Sequence, residues 1–212
     1  WMAVGSSADV TKLVIASEDG YIYTSSDSGD TWTQQTSAGQ HMTMSIASSS
    51  DGTKLAFSDL NDNYIYTSTD SGATWTQQTS AGQHMAYGIA SSSDGTKLAF
   101  SDLNDGYIYT STDSGATWTQ QTSAGQHIAG SIGGSSDGTK LALNDINDGY
   151  IYTSTDSGVT WTQQVSAGQH EGYGIASSSD GTKLALSDMS DGYIYTSTDS
   201  GVTWTQQVSA GQ

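Results

Sequence analysis

The stretch Ser68-Thr69-Asp70-Ser71-Gly72-Ala73-Thr74-Trp75 occurs five times with small changes, and every copy ends on a tryptophan. Those residues, Trp32, Trp75, Trp118, Trp161 and Trp204, follow one another at a constant spacing of 43. A fixed period of this length means a repeat architecture in which neighbouring units bury what no single unit can bury alone. Aligned on the tryptophans, the units are 1–40, 41–83, 84–126, 127–169 and 170–212. Five such units favour one closed domain over several independent ones.

Within unit 2, Ser45-Ile46-Ala47-Ser48 reads as a first strand and Asp51-Gly52 as a turn. Lys54–Ser58, Tyr64–Thr67 and Thr74–Gln78 read as the second, third and fourth strands, with Asp59–Asn63 as a loop. Alternation, β-branched and aromatic residues, and Gly, Asp and Asn punctuation support strands, and no helical period is present. Four short antiparallel strands repeated about an axis make a propeller blade. The predicted fold is therefore all-β, a five-bladed β-propeller. Ile46, Leu55, Phe57, Ile65 and Trp75 are expected on a bulky side of the blade, with Ala47 and Ala56 leaving room on the other. Blade 1 is expected to pack against blade 5 and close the ring in a monomer, with a larger ring of two chains as the alternative.

Unit 1 differs. It has Ala8-Asp9-Val10-Thr11 where the others have Ser-Asp-Gly-Thr, and its loop at Ser17-Glu18-Asp19-Gly20 is one residue shorter. Terminal repeats are often atypical because they cap an array. The other four are nearly interchangeable, as recent duplication or deliberate design would leave them.

Charge excludes some partners. Against 22 Asp and Glu stand five lysines and no arginine, a net charge of -17. That balance opposes nucleic acid and anionic lipid, since phosphate contacts need Lys or Arg. Without cysteine there is neither a disulfide nor a thiolate metal site. No apolar run has the length of a membrane span. The chain opens on Trp1 without a leader-like segment, so a leader is expected either to have been removed or never to have been present. Few lysines, many Ser and Thr, and β-repeats suggest secretion.

The pattern Ser-x-Asp-x-Gly-x-Thr-Trp, with the surrounding Asp-Gly-Thr-Lys-Leu and Tyr-Ile-Tyr-Thr-Ser, resembles the Asp-box, or bacterial neuraminidase repeat, over the whole chain. The resemblance implies a turn between the third and fourth strands of each blade. In it, Asp27, Asp70, Asp113, Asp156 and Asp199 would accept hydrogen bonds from the turn. Gly29, Gly72, Gly115, Gly158 and Gly201 would supply positive φ, and the five tryptophans would anchor the fourth strand in the core. These are structural roles. Sialidases of that family hold the substrate carboxylate with an arginine cluster and use a Tyr nucleophile assisted by Glu, with an Asp acid/base. This chain has no Arg, and its only glutamates are Glu18 and Glu171, so sialidase chemistry is excluded. No catalytic residue or cofactor is assigned, and the expectation is a non-enzymatic scaffold or binding module. The rival is a glycan hydrolase by fold analogy, for which Glu171 with Asp188 is the one pair that does not repeat.

Strand alternation puts the Asp-Gly turns and Asp-boxes on one rim, and the Ala-Gly-Gln-His linkers and Asp-Leu-Asn-Asp loops on the other. Variation concentrates on the second rim and at the start of the first strand. The candidate ligand-binding residues there are Trp1, Met2, His41, Met42, Met44, His84, Met85, Tyr87, His127, Ile128, His170, Glu171 and Tyr173, for a glycan or peptide. Met and aromatic side chains suit an adaptable contact surface. The four His recur once per unit and could ring a metal. Equivalent sites about 10 Å apart are nevertheless too far for bonds of about 2 Å, so hydrogen bonding within each linker is the favoured reading. Paired Asp at 59/62, 102/105, 145/148 and 188/191 suggest weak Ca²⁺ binding or, preferably, a hydrated turn.

Overall fold

The computed structural model describes residues 2–17 and 20–208. Its architecture is five sheets, each a meander of four antiparallel strands in sequence order. In blade 2 the strands are Ile46–Ser48, Leu55–Ser58, Ile65–Ser68 and Thr76–Gln77. A single 3-10 turn, Thr79–Ala81 in this blade, follows the fourth strand. It is too short to leave a helical period in the sequence.

Register decides the two faces of a blade. Phe57 pairs with Ile46 on one side and Tyr66 on the other, while Ala56 pairs with Ala47 and Thr67. Side chains directly opposite share a face, so Ile46, Phe57 and Tyr66 make the bulky face and Ala47, Ala56 and Thr67 the small one. Ile65 pairs with Ser58 and belongs to the small face, which corrects the expectation that it stands with Phe57. Tyr66 takes that place.

Each bulky face packs on the small face of the blade before it. Ala47, Ala56 and Ile65 of blade 2 form one buried cluster with Ile89, Leu98 and Phe100 of blade 3, with Tyr109 and Trp118 packed against it. The same arrangement joins blades 1 and 2, 3 and 4, and 4 and 5. Burying one phenylalanine such as Phe57 stabilises by about 3 kcal/mol. A backbone bond crosses each joint as well. Ala8 N–H donates to Ser50 O, Ser50 to Ser93, Ser93 to Ser136 and Ser136 to Ser179, at 2.7–2.8 Å.

The expected fifth joint is not made. Val4 on the bulky face of blade 1 is 68% exposed, whereas its equivalent Ile46 is 6% exposed. Ile194 on the small face of blade 5 is 42% exposed, whereas Ile65 is 0%. Among the described residues no backbone bond links Ser179 to Ala8 and no buried cluster joins the two blades. The ring is therefore open between blades 5 and 1, where the outer faces meet solvent. Trp32 is exposed for the same reason, while Trp75, Trp118, Trp161 and Trp204 are half-buried against the joint clusters.

Candidate functional site

The Ser-x-Asp-x-Gly-x-Thr-Trp turn is closed by its own polar groups. Asp70 accepts from the Thr74 N–H at 2.9 Å, the Thr74 hydroxyl at 2.6 Å and the Ser68 hydroxyl at 2.8 Å. Ser71 and Gly72 take positive φ, 60° and 87°, and the Trp75 indole donates to Gly72 O at 3.0 Å. The Ser71 N–H donates to Thr53 O of the neighbouring Asp-Gly turn, so both turns lie on one rim. In blade 1, where the turn is most exposed, hydrogen bonds from the Thr31 hydroxyl and N–H and from Ser25 lower the Asp27 carboxyl to about 2. Each of these aspartates closes its own turn.

The opposite rim is organised by four clasps, one per joint. His84 Nδ1–H donates to Asp102 Oδ2 at 2.7 Å, and Nε2 lies 2.6 Å from Ala81 O, the carbonyl of the preceding blade's 3-10 turn. His41, His127 and His170 repeat this with Asp59, Asp145 and Asp188. Both ring nitrogens face acceptors, and an imidazole can donate from both only as the cation. For His41 and His84 burial opposes the charge, but the bonds to carboxylate and carbonyl outweigh it and the pKa is raised. The His41 and His84 rings also rest on tyrosines, His84 at 4.1 Å from Tyr109, which favours the cation further.

These histidines are buried with both nitrogens occupied, so they are not presented to a ligand as expected above. The cause is the aspartate 18 residues later, which the loop folds back onto the ring. The Asp59 loop is accordingly no hydrated turn. Asp59 is buried and accepts from His41, the Asn61 N–H and the Met42 N–H. Asp62 accepts from the Tyr64 N–H, the Tyr66 hydroxyl and Gln77. Among the described residues no three His, Asp or Glu side chains gather at one point. Asp188 is committed to His170, Ser190 and the Glu171 N–H, so the Glu171–Asp188 pair offers no free carboxylate couple.

The Asp59, Asp102, Asp145 and Asp188 carboxylates also grip the N–H groups of Met42, Met85, Ile128 and Glu171. That fixes the segment leading to the axis. There a cavity of about 450 Å³ opens, lined by residues of all five blades. Pairing register makes Met2, Met44, Tyr87, Gly130 and Tyr173 equivalent positions, and all five line it. The register shifts between Gly172 and Gly174, and the Tyr173 ring lies beside Gly130. Sequence reasoning named four of these positions and missed Gly130, which shapes the wall by lacking a side chain. Met42 and Glu171 are exposed beside the mouth, Met85 and Ile128 half-buried. Trp1 lies outside the described residues.

No protein-family model matches the chain, and no curated protein matches it in sequence. Solved structures do match in shape. The GH74 enzyme of Niastella koreensis superposes with a TM-score of 0.75 at 23% identity, over 96% of this chain and 30% of that one. A nidogen/laminin complex matches at 0.72 and 15%, over 96% and 78%. YCF48 bound to D1 peptide matches at 0.61 and 16%, over 98% and 82%. The chain thus spans about 30% of the GH74 chain. At these identities the likeness carries the propeller fold alone, and the neighbours include an enzyme and binding proteins.

Proposed function

We infer that this protein is a non-catalytic binding module built from Asp-box blades, taking an extended peptide segment at the mouth of the axial cavity. The observation that carries the reading is the distribution of variation. One position per blade faces the cavity and is filled by Met2, Met44, Tyr87, Gly130 and Tyr173, while the surrounding turns are almost constant. Two thioethers and two phenols supply adaptable apolar contact with polar tips. A volume of about 450 Å³ falls in the range of ligand sites. A net charge of -17 favours a neutral or basic segment. That YCF48 binds a peptide and nidogen a protein supports the class of partner. The carboxylates are consumed by clasps and turns, which argues against the hydrolase reading.

The test is a peptide array followed by fluorescence anisotropy on the strongest sequences. Tyr87→Ala and Tyr173→Ala should each weaken binding about tenfold, on the order of 1.4 kcal/mol. Binding of short glycans instead of peptides would change the ligand class. No binding of either would leave a structural scaffold.

A further inference from the structure

The four joints are built from the same parts, yet one of them is hollow. Between blades 3 and 4 lies a cavity of about 180 Å³. The corresponding spaces at the other three joints measure about 10 Å³ each. The residues that line this space recur from joint to joint with few exchanges. Only one lining position is different here from all three others: Gly134, where the equivalent residues are Ser48, Ser91 and Ser177.

The missing hydroxymethyl has two consequences. It lets Leu141 lean toward the backbone, its Cδ2 lying 2.9 Å from where a Cβ would stand, closer than a serine there would allow. It also strips a hydrogen bond. Ser48, Ser91 and Ser177 each donate to the carbonyl of the next residue at 2.9–3.0 Å. The Ser135 carbonyl, at the same position, accepts from the Gly138 N–H alone among the described residues. An acceptor and a void thus lie together at one joint.

The remaining lining sets the chemistry. Leu98, Leu141 and Val159 offer an apolar wall, and Thr110 and Thr112 contribute hydroxyls. The Thr110 oxygen accepts from Gln121 Nε2 at 2.6 Å, which leaves its O–H free to donate. Lys97 reaches Ser157 at 3.3 Å and adds, after the hydrogen bonds from Ser135 and Thr139, to holding the Asp137 carboxyl of the next blade below its usual range. A small anion would therefore meet a carboxylate beside the cation. We propose that the blade 3–blade 4 joint is a binding site for one small neutral polyol of monosaccharide size, its C–H face on the leucine and valine wall and a hydroxyl donating to the Ser135 carbonyl.

The site is distinct from the axial cavity, and the repeat supplies its own controls. Isotope-labelled protein is titrated with D-glucose and with myo-inositol, following the Gly134 and Leu141 amide signals, with sodium sulfate as the anionic comparison. Saturable shifts at those amides with one site per chain are expected, unaffected by Tyr87→Ala. Gly134→Ser, which restores the residue of three other blades, should weaken binding at least tenfold without lowering thermal stability. Ser177→Gly should open a second site and raise the stoichiometry to two. Equal binding by Gly134→Ser, absence of saturable shifts, or stronger binding of sulfate than of either polyol would each overturn the proposal.

Discussion

The joint between blades 1 and 2 and the unmet faces of blades 1 and 5 are made of equivalent residues in opposite circumstances. At the joint, Val14, Ala16 and Ile22 bury Ile46, Leu55 and Phe57, Ala8 bonds to Ser50 and His41 clasps Asp59. At the ends, Val4 and Ile194 lie open to solvent. The same side chains therefore contribute stability in one place and a hydrophobic liability in the other. What a blade's residues are worth is decided by its neighbour, because a four-stranded sheet with two apolar faces cannot bury either by itself.

The largest effect should come from emptying a joint. Phe57→Ala is expected to cost about 3–5 kcal/mol in urea unfolding, whereas Ile15→Ala, at the equivalent position on the open face, should cost under about 1 kcal/mol. Equal costs would mean that the end faces are covered in solution.

A clasp should come next. His84→Gln leaves the buried Asp102 carboxylate without its cation and should cost about 3 kcal/mol. Its pH signature is separate. His84 has a raised pKa in the fold, so its contribution is complete below about 6.5, the unfolded value, and fades as pH rises through the higher folded value. Thermal midpoints should fall as pH rises above about 6.5, and His84→Gln should remove part of that slope. A flat profile in the parent protein would refute the charged clasp.

Covering an end sharpens the contrast from the other side. A sixth copy of residues 84–126 fused after Gln212 should bury Ile194 and Ala176 and raise stability by about 1–3 kcal/mol. An unchanged midpoint would show that the open face costs nothing.

The smallest effect is local to blade 1. Val10 sits at φ 60° where Gly52, Gly95, Gly138 and Gly181 occupy the equivalent turns, a conformation that strains a β-branched residue. Val10→Gly should stabilise by about 1 kcal/mol in the same unfolding assay.

Much of this was legible in the chain. The tryptophan spacing gives five units, and alternation around Phe57 and Ala56 gives the strands and the two rims. The Asp70 turn is local, closed by residues within six positions, so its chemistry can be read from the motif. The histidine clasps were half legible. His84 and Asp102 recur at a fixed separation, yet nothing local says that a loop carries the carboxylate onto the ring. The channel residues Met44, Tyr87 and Tyr173 stood out by varying among constant neighbours. Gly130 varies with them but was not taken as a contact, and Gly134 did not stand out, because an absent side chain has meaning only beside the atoms that would have met it.

The sequence alone determined the blade, since hydrogen-bonded meanders and tight turns depend on residues close along the chain. Tertiary structure decided that Ile65 faces the following blade rather than standing with Phe57, that four joints are clasped and the fifth stays open, and that one joint is hollow. Those outcomes depend on cross-strand register and on packing between successive sheets, which are sums over contacts distant in sequence. What a joint buries depends on two repeats at once, and no single repeat carries it.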